Sequence, residues 1–143
     1  DEIVRRLNAV LPEGLVAVSA AEPVHKAGEL KTARYRLAFT GDLSQMAAFL
    51  AQDAILVEKH TKKGGTKPVD LKPSLAGAVY TPGQDGEGIM EVTLPCGSSE
   101  TINPALIVSA YNAFVKECTG AEQATDCRVL RTGLFCGENI PFC

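Results

Sequence analysis

Residues 53–73 read DAILVEKHTKKGGTKPVDLKP. The β-prone run Ile55-Leu56-Val57 enters a basic tip, Lys62-Lys63-Gly64-Gly65, and returns through Val69-Asp70-Leu71. The pattern predicts a hairpin: the two glycines supply the positive φ a tight reversal needs, and the valines pack on a pleated surface while the lysines stay in water. Between Ile55 and Lys72 five lysines face two acids, a net charge of +3, whereas the whole chain carries −3, so the remainder carries −6. A cationic ribbon on an acidic body is the sharpest functional feature of the sequence.

Working outward, the flanks are regular. Before the hairpin, Tyr35, Leu37 and Phe39 alternate with Arg34 and Arg36, the period of a half-buried strand. Thr40-Gly41-Asp42 then marks a turn and a helix cap, and Leu43, Met46, Ala47 and Leu50 recur at helical spacing. After the hairpin, Leu75 to Tyr80 and Ile89 to Leu94 read as strands joined by the Gly-rich run 82–88. Asn103-Pro104 marks a helix start, and Ile107, Tyr111, Phe114 and Cys118 give that helix one apolar face, which makes Cys118 a core residue. Gly120 stops the helix. Cys127 to Phe135 reads as a last strand, and the turn-rich tail Cys136 to Cys143 is held only if Phe142 docks.

From Lys31 the order strand, helix, hairpin, strand, strand, helix, strand predicts an α+β, ferredoxin-like sandwich with an antiparallel sheet and an inserted basic hairpin over residues 31–143. Residues 1–30 read as a preceding helix and strand followed by a linker: Ile3, Val4, Leu7, Val10 and Leu11 keep helical spacing, Leu15 to Val18 is β-like, and residues 21–30 are a Pro- and Gly-bearing connection. His25, alone in that connection, reads as solvent-facing.

Composition bounds function by exclusion. With 143 residues, 45% hydrophobic and 22% charged, the chain suits one core. A net negative charge argues against a protein that coats nucleic acid non-specifically, and no apolar stretch approaches the roughly 20 residues of a membrane span. The chain lacks an initiator Met, the mark of a fragment or a processed chain. Five cysteines without a C-x-x-C pair fit reduced thiols and a cytoplasmic location, and the wide spacing of Cys118, Cys127, Cys136 and Cys143 predicts no metal site.

The same residues argue against catalysis. His60 and Glu58 share a strand face, but an exposed lysine-rich tip has no walls to exclude water. Asp70 reads as a strand-end carboxylate pairing with Lys67 or Lys72. There is no phosphate-cradling Gly loop, no Trp and no aromatic RNA-recognition signature. The expected site is therefore one of binding: Lys59, Lys62, Lys63, Lys67 and Lys72 meet phosphates, with Arg34, Arg36 and Arg131 adding a sheet-edge patch if their strands neighbour the hairpin.

Four segments together carry a resemblance: LNAVLPEGL at 7–15, ARYR at 33–36, the basic reversal ending VDLKP at 69–73, and RVLRTGL at 128–134. In that order they resemble the bacterial radical-SAM-linked family, a domain of unknown function encoded beside or fused behind radical S-adenosylmethionine proteins with a cobalamin-binding region. The resemblance implies that this chain corresponds to the carboxyl-terminal part of such a protein. It also implies a radical-SAM partner, fused or separate, that alone holds the iron–sulfur cluster, S-adenosylmethionine and cobalamin. This chain would then be an accessory, substrate-binding module without cofactor, and the family's placement near RNA-processing genes makes RNA the expected ligand. The alternative is a domain that docks the radical-SAM protein and binds no nucleic acid. The Cys-bearing tail departs from the family pattern.

Overall fold

The structure, a computed structural model, describes every residue except Lys62, Glu138 and Cys143. Helix α1 (Glu2–Asn8) opens the chain, with the Asp1 carboxylate accepting from the Ile3 amide as its cap. It buries no residue, and Glu2 is shared on its surface by Arg5 and Arg6. The strand expected at Leu15 to Val18 does not form. Leu15, Val16 and Val18 are exposed, Val18 at 92%, and among the described residues the run joins no sheet. A β-prone run needs a partner edge to satisfy its amides, and here the Asn8 side chain takes that part by bonding the Ala17 amide and carbonyl.

The remaining elements are β1 (Thr32–Thr40), α2 (Met46–Ala51), β2 (Leu56–His60), β3 (Thr66–Asp70), α3 (Lys72–Leu75), β4 (Val79–Pro82), β5 (Glu87–Pro95), α4 (Ala105–Thr119), β6 (Asp126–Gly137) and β7 (Ile140–Pro141). Strands β4-β5-β1-β6-β7 form one antiparallel sheet, and β2-β3 form a separate two-stranded one. Without β7 and the hairpin, the order is β-α-β-β-α-β with the first and third strands central, so the chain is α+β and of ferredoxin-like topology. The strand expected from Leu75 to Tyr80 starts only at Val79, and Leu75 instead closes the single helical turn α3. Pro73 sits in its first turn, where no amide donor is required, and Leu71 and Leu75 are buried on either side of it.

The hydrophobic core lies on one face of the sheet. Leu37 and Phe39 of β1 and Met90, Val92 and Leu94 of β5 meet Met46 and Phe49 of α2 and Ile107, Tyr111 and Val115 of α4. Phe49 stands edge-on to Tyr111, ring centres 5.5 Å apart, with Phe114 at 5.8 Å. The Tyr111 hydroxyl donates to the Asp42 carbonyl at 2.8 Å, tying α4 to the β1–α2 turn. Cys118, expected in the core, is exposed: Val115 takes the buried position one turn earlier, and the apolar stripe ends there. The opposite face of the sheet presents Arg34, Arg36, Thr93, Arg128 and Leu130 to solvent.

Glycine is required outright at position 86. Gly86 has φ +79°, a Cβ there would stand 2.6 Å from the Gly41 carbonyl oxygen, and its own carbonyl accepts from the Gly41 amide at 2.9 Å. Gly86→Ala combines left-handed strain with a backbone clash. It is expected to cost about 2 kcal/mol or more, read as a lower urea midpoint at unchanged slope.

Candidate anion-binding cleft

The hairpin is assembled from its base. Ile55 and Leu71 are buried, the Leu71 amide donates to the Ile55 carbonyl at 2.8 Å, and the Asp70 carboxylate accepts from the amides of Ile55 (2.8 Å) and Lys72 (2.9 Å). Asp70 thus bonds backbone amides; among the described ion pairs it pairs with neither Lys67 nor Lys72. The amide bonds, that from Ile55 first and that from Lys72 second, hold its carboxyl below the usual value of 3.8. A lowered folded pKa means the contribution is complete above the unfolded value and is lost as pH falls through the folded one. The Ile55 and Lys72 amide resonances are therefore expected to shift together below about pH 4, and Asp70→Asn to abolish that titration.

At the tip, the Thr61 amide donates to the Gly65 carbonyl (2.7 Å) and the Gly64 amide to the Thr61 carbonyl (3.0 Å). Among the described residues of the tip only Gly64 takes a positive φ, +81°. Between base and tip the register places Lys59 directly opposite Lys67. Like charges facing each other across a strand pair are destabilising, and neither lysine enters an ion pair among the described residues.

What faces these lysines is the loop after β5. A cleft of about 650 Å³ lies between Lys59, His60 and Lys67 on the hairpin and Ser98, Ser99 and Asn103 on the loop, with Leu106 of α4 also lining it. The loop is closed by the Gly97 amide donating to the Glu100 carbonyl (2.8 Å) and the Thr101 hydroxyl to the Gly97 carbonyl (2.9 Å). The Lys59 ammonium donates to the Thr101 carbonyl, joining the two walls. Glu100 also lines the cleft, and among the described residues it enters no ion pair. Two ammonium groups beside hydroxyl and amide donors make a geometry suited to an anion with several oxygens, such as a phosphate.

The expected residues divide. Lys59 and Lys67 meet in the cleft and Lys63 is exposed at the tip, while Lys62 lies outside the described residues. Lys72 is turned inward: its ammonium donates to the Leu50 carbonyl at 2.6 Å, satisfying an orphan group at the end of α2. Arg34 and Arg36 lie on the exposed face of the central strand, away from any sheet edge. Arg34 stacks over Phe135 at 4.8 Å and donates to Asn139 at 3.3 Å. Arg131 stands opposite Tyr35, on the core side of the sheet. Among the described residues the hairpin pairs with none of these strands, so the arginine strands do not extend its sheet. Asn103 reads in the sequence as a helix start, and nothing local signals that it faces the lysines together with Ser98 and Ser99.

His60 and Glu58 do not sit on a bare tip, as the sequence suggested. Both line a second groove of about 490 Å³, between the hairpin and α4, with Leu56, Phe114 and Glu117. Burial, and then the neighbouring Asp126, pushes the Cys127 thiol up to about 11, so it stays protonated and unreactive at neutral pH. Cys127 and Cys136 lie nine positions apart along β6, roughly 30 Å of strand, so these two cannot share a metal ion.

The fold defines the class: a ferredoxin-like α+β unit whose inserted hairpin forms one wall of a polar cleft. Residues 1–104 match the model of a family described as an uncharacterized protein conserved in bacteria (DUF2344), and the chain belongs to that family. The match spans α1, all of the hairpin and the sheet through β5, together with the loop that faces the lysines. No curated protein and no solved structure matches the chain. No described helix is long and apolar enough to cross a membrane.

Proposed function

We propose that this chain is a non-catalytic recognition module of a radical-SAM system that holds RNA phosphates in the cleft between the lysine hairpin and the 97–103 loop. The observation that carries this is the opposed pair Lys59 and Lys67, which enter no ion pair among the described residues and face a wall of hydroxyl and amide groups that also bears Glu100. A phosphate between them would relieve their mutual repulsion and accept from the loop. Aromatic side chains are few, so the contact is to backbone rather than to stacked bases. The radical-SAM protein, fused or separate, supplies the iron–sulfur cluster, S-adenosylmethionine and cobalamin. The cysteine usage supports a cytoplasmic place of action.

A second reading, a domain that docks the radical-SAM protein, is favoured by the groove on the other side of the hairpin, where Leu56 is 70% exposed beside Phe114. The two are separated by titrating a fluorescent single-stranded RNA into the chain over a range of salt. Binding that weakens steeply with salt supports the RNA reading. Co-purification with the radical-SAM protein without RNA affinity at low salt supports docking and sinks the first reading.

A further inference from the structure

Away from the cleft, the connection 21–31 crosses the end of β6. The Lys31 amide donates to the Phe135 carbonyl at 2.9 Å, and the Phe142 amide to the Leu134 carbonyl at 2.8 Å, so both chain segments are pinned beside Cys136. The Phe142 ring stacks on His25, ring centres 6.2 Å apart, so His25 is half-buried rather than solvent-facing. The short 3₁₀ turn Ala27–Glu29 brings Glu29 back over the same spot. Its carboxylate accepts from the Lys26 amide at 3.1 Å and lies 3.0 Å from His25 Nδ1. One imidazole nitrogen, one carboxylate oxygen and the Cys136 sulfur all lie within 4.8 Å of one another.

We infer that His25, Glu29 and Cys136 form a Zn²⁺ site that staples the amino-terminal connection to the β6–β7 end of the sheet. Around tetrahedral zinc, with bonds of about 2.0–2.3 Å, ligand atoms sit about 3.3–3.8 Å apart, so closure asks only for small side-chain rotations. A nitrogen, an oxygen and a thiolate sulfur are the borderline donor set that zinc takes, and these three described residues fill three of its four positions. The Lys26 amide already orients the carboxylate, the kind of outer contact that fixes a metal ligand. Binding is proton-linked: the thiol loses its proton as the Zn–S bond forms, and His25 Nδ1 must be unprotonated to donate its lone pair. The site departs from the four-cysteine set considered from spacing. It is also independent of the RNA reading, since it shares no residue with the cleft.

The test is cobalt titration of the full chain, stripped of metal and kept reduced. One equivalent of Co²⁺ is expected to raise a thiolate-to-cobalt charge-transfer band, bleached by one equivalent of Zn²⁺, and Zn²⁺ is expected to raise the melting temperature. Cys136→Ser should abolish the band, and His25→Ala and Glu29→Gln should each weaken binding tenfold or more. Cys118→Ser, altering an exposed thiol on α4, should change nothing. Each variant must melt like the parent without metal, which separates lost ligation from lost fold. Absence of the band at stoichiometric cobalt overturns the site. So does a band that survives both His25→Ala and Glu29→Gln, because cysteines alone would then be the ligands.

Discussion

Neutralising Lys63 and Lys67 together, as Lys63→Gln/Lys67→Gln, is expected to lower single-stranded RNA affinity about 25-fold at 0.1 M salt. Each phosphate neutralised on a single strand contributes about 0.7 to the slope of log K against log salt, so losing two contacts flattens the slope by about 1.4. The affinity loss should therefore shrink as salt rises. These two lysines are chosen because no hydrogen bond or ion pair to either is seen among the described residues, whereas Lys59 also holds the Thr101 carbonyl and Lys72 the Leu50 carbonyl. Lys59→Gln is expected to combine a binding loss with a loosened loop, and Lys72→Gln to act on stability. Lys31→Gln/Lys116→Gln removes the same charge elsewhere. Fluorescence anisotropy checks all four, and an equal loss in that control would mean that no particular lysine matters.

Phe49→Ala is expected to cost about 3–5 kcal/mol, seen as a large drop in the urea midpoint. Phe49 is fully buried between α2 and the rings of Tyr111 and Phe114 on α4, and α2 is only six residues long. So short a helix has little stability of its own and depends on the side chains that dock it. Removing the ring opens a cavity that the sheet behind, through Leu37 and Met90, cannot fill. Because Phe49 also lines the groove beneath the hairpin, amide exchange in β2 and β3 should accelerate in this variant before it does in β1. Uniform acceleration across the sheet would show that the hairpin base is not separately anchored there.

The elements that local pattern exposes are those where sequence and packing agree. The alternation of Arg34 to Phe39 separates a core face from a solvent face, and β1 keeps both assignments. Gly120 ends α4 in the left-handed conformation, φ +73°, as a C-terminal glycine should. Misjudgements fall where a local preference lacked its partner. Leu15 to Val18 has strand chemistry and no edge to join, Cys118 sits one turn beyond the end of the apolar stripe, and His25 owes its half-buried state to Phe142, more than a hundred residues away.

For the cleft, the sequence alone determined that a lysine-bearing hairpin would form, since Gly64, the valines and the cross-strand register are properties of some twenty adjacent residues. Which lysines still face outward was decided only in three dimensions. Lys72 turns onto α2, Lys59 onto the loop after β5, and the arginines of β1 fall on the far side of the sheet. Periodicity settles which side chains share a face of one element. Which elements then meet depends on burying Ile55, Leu71 and Phe49 in a common core, an energy no single stretch of chain contains.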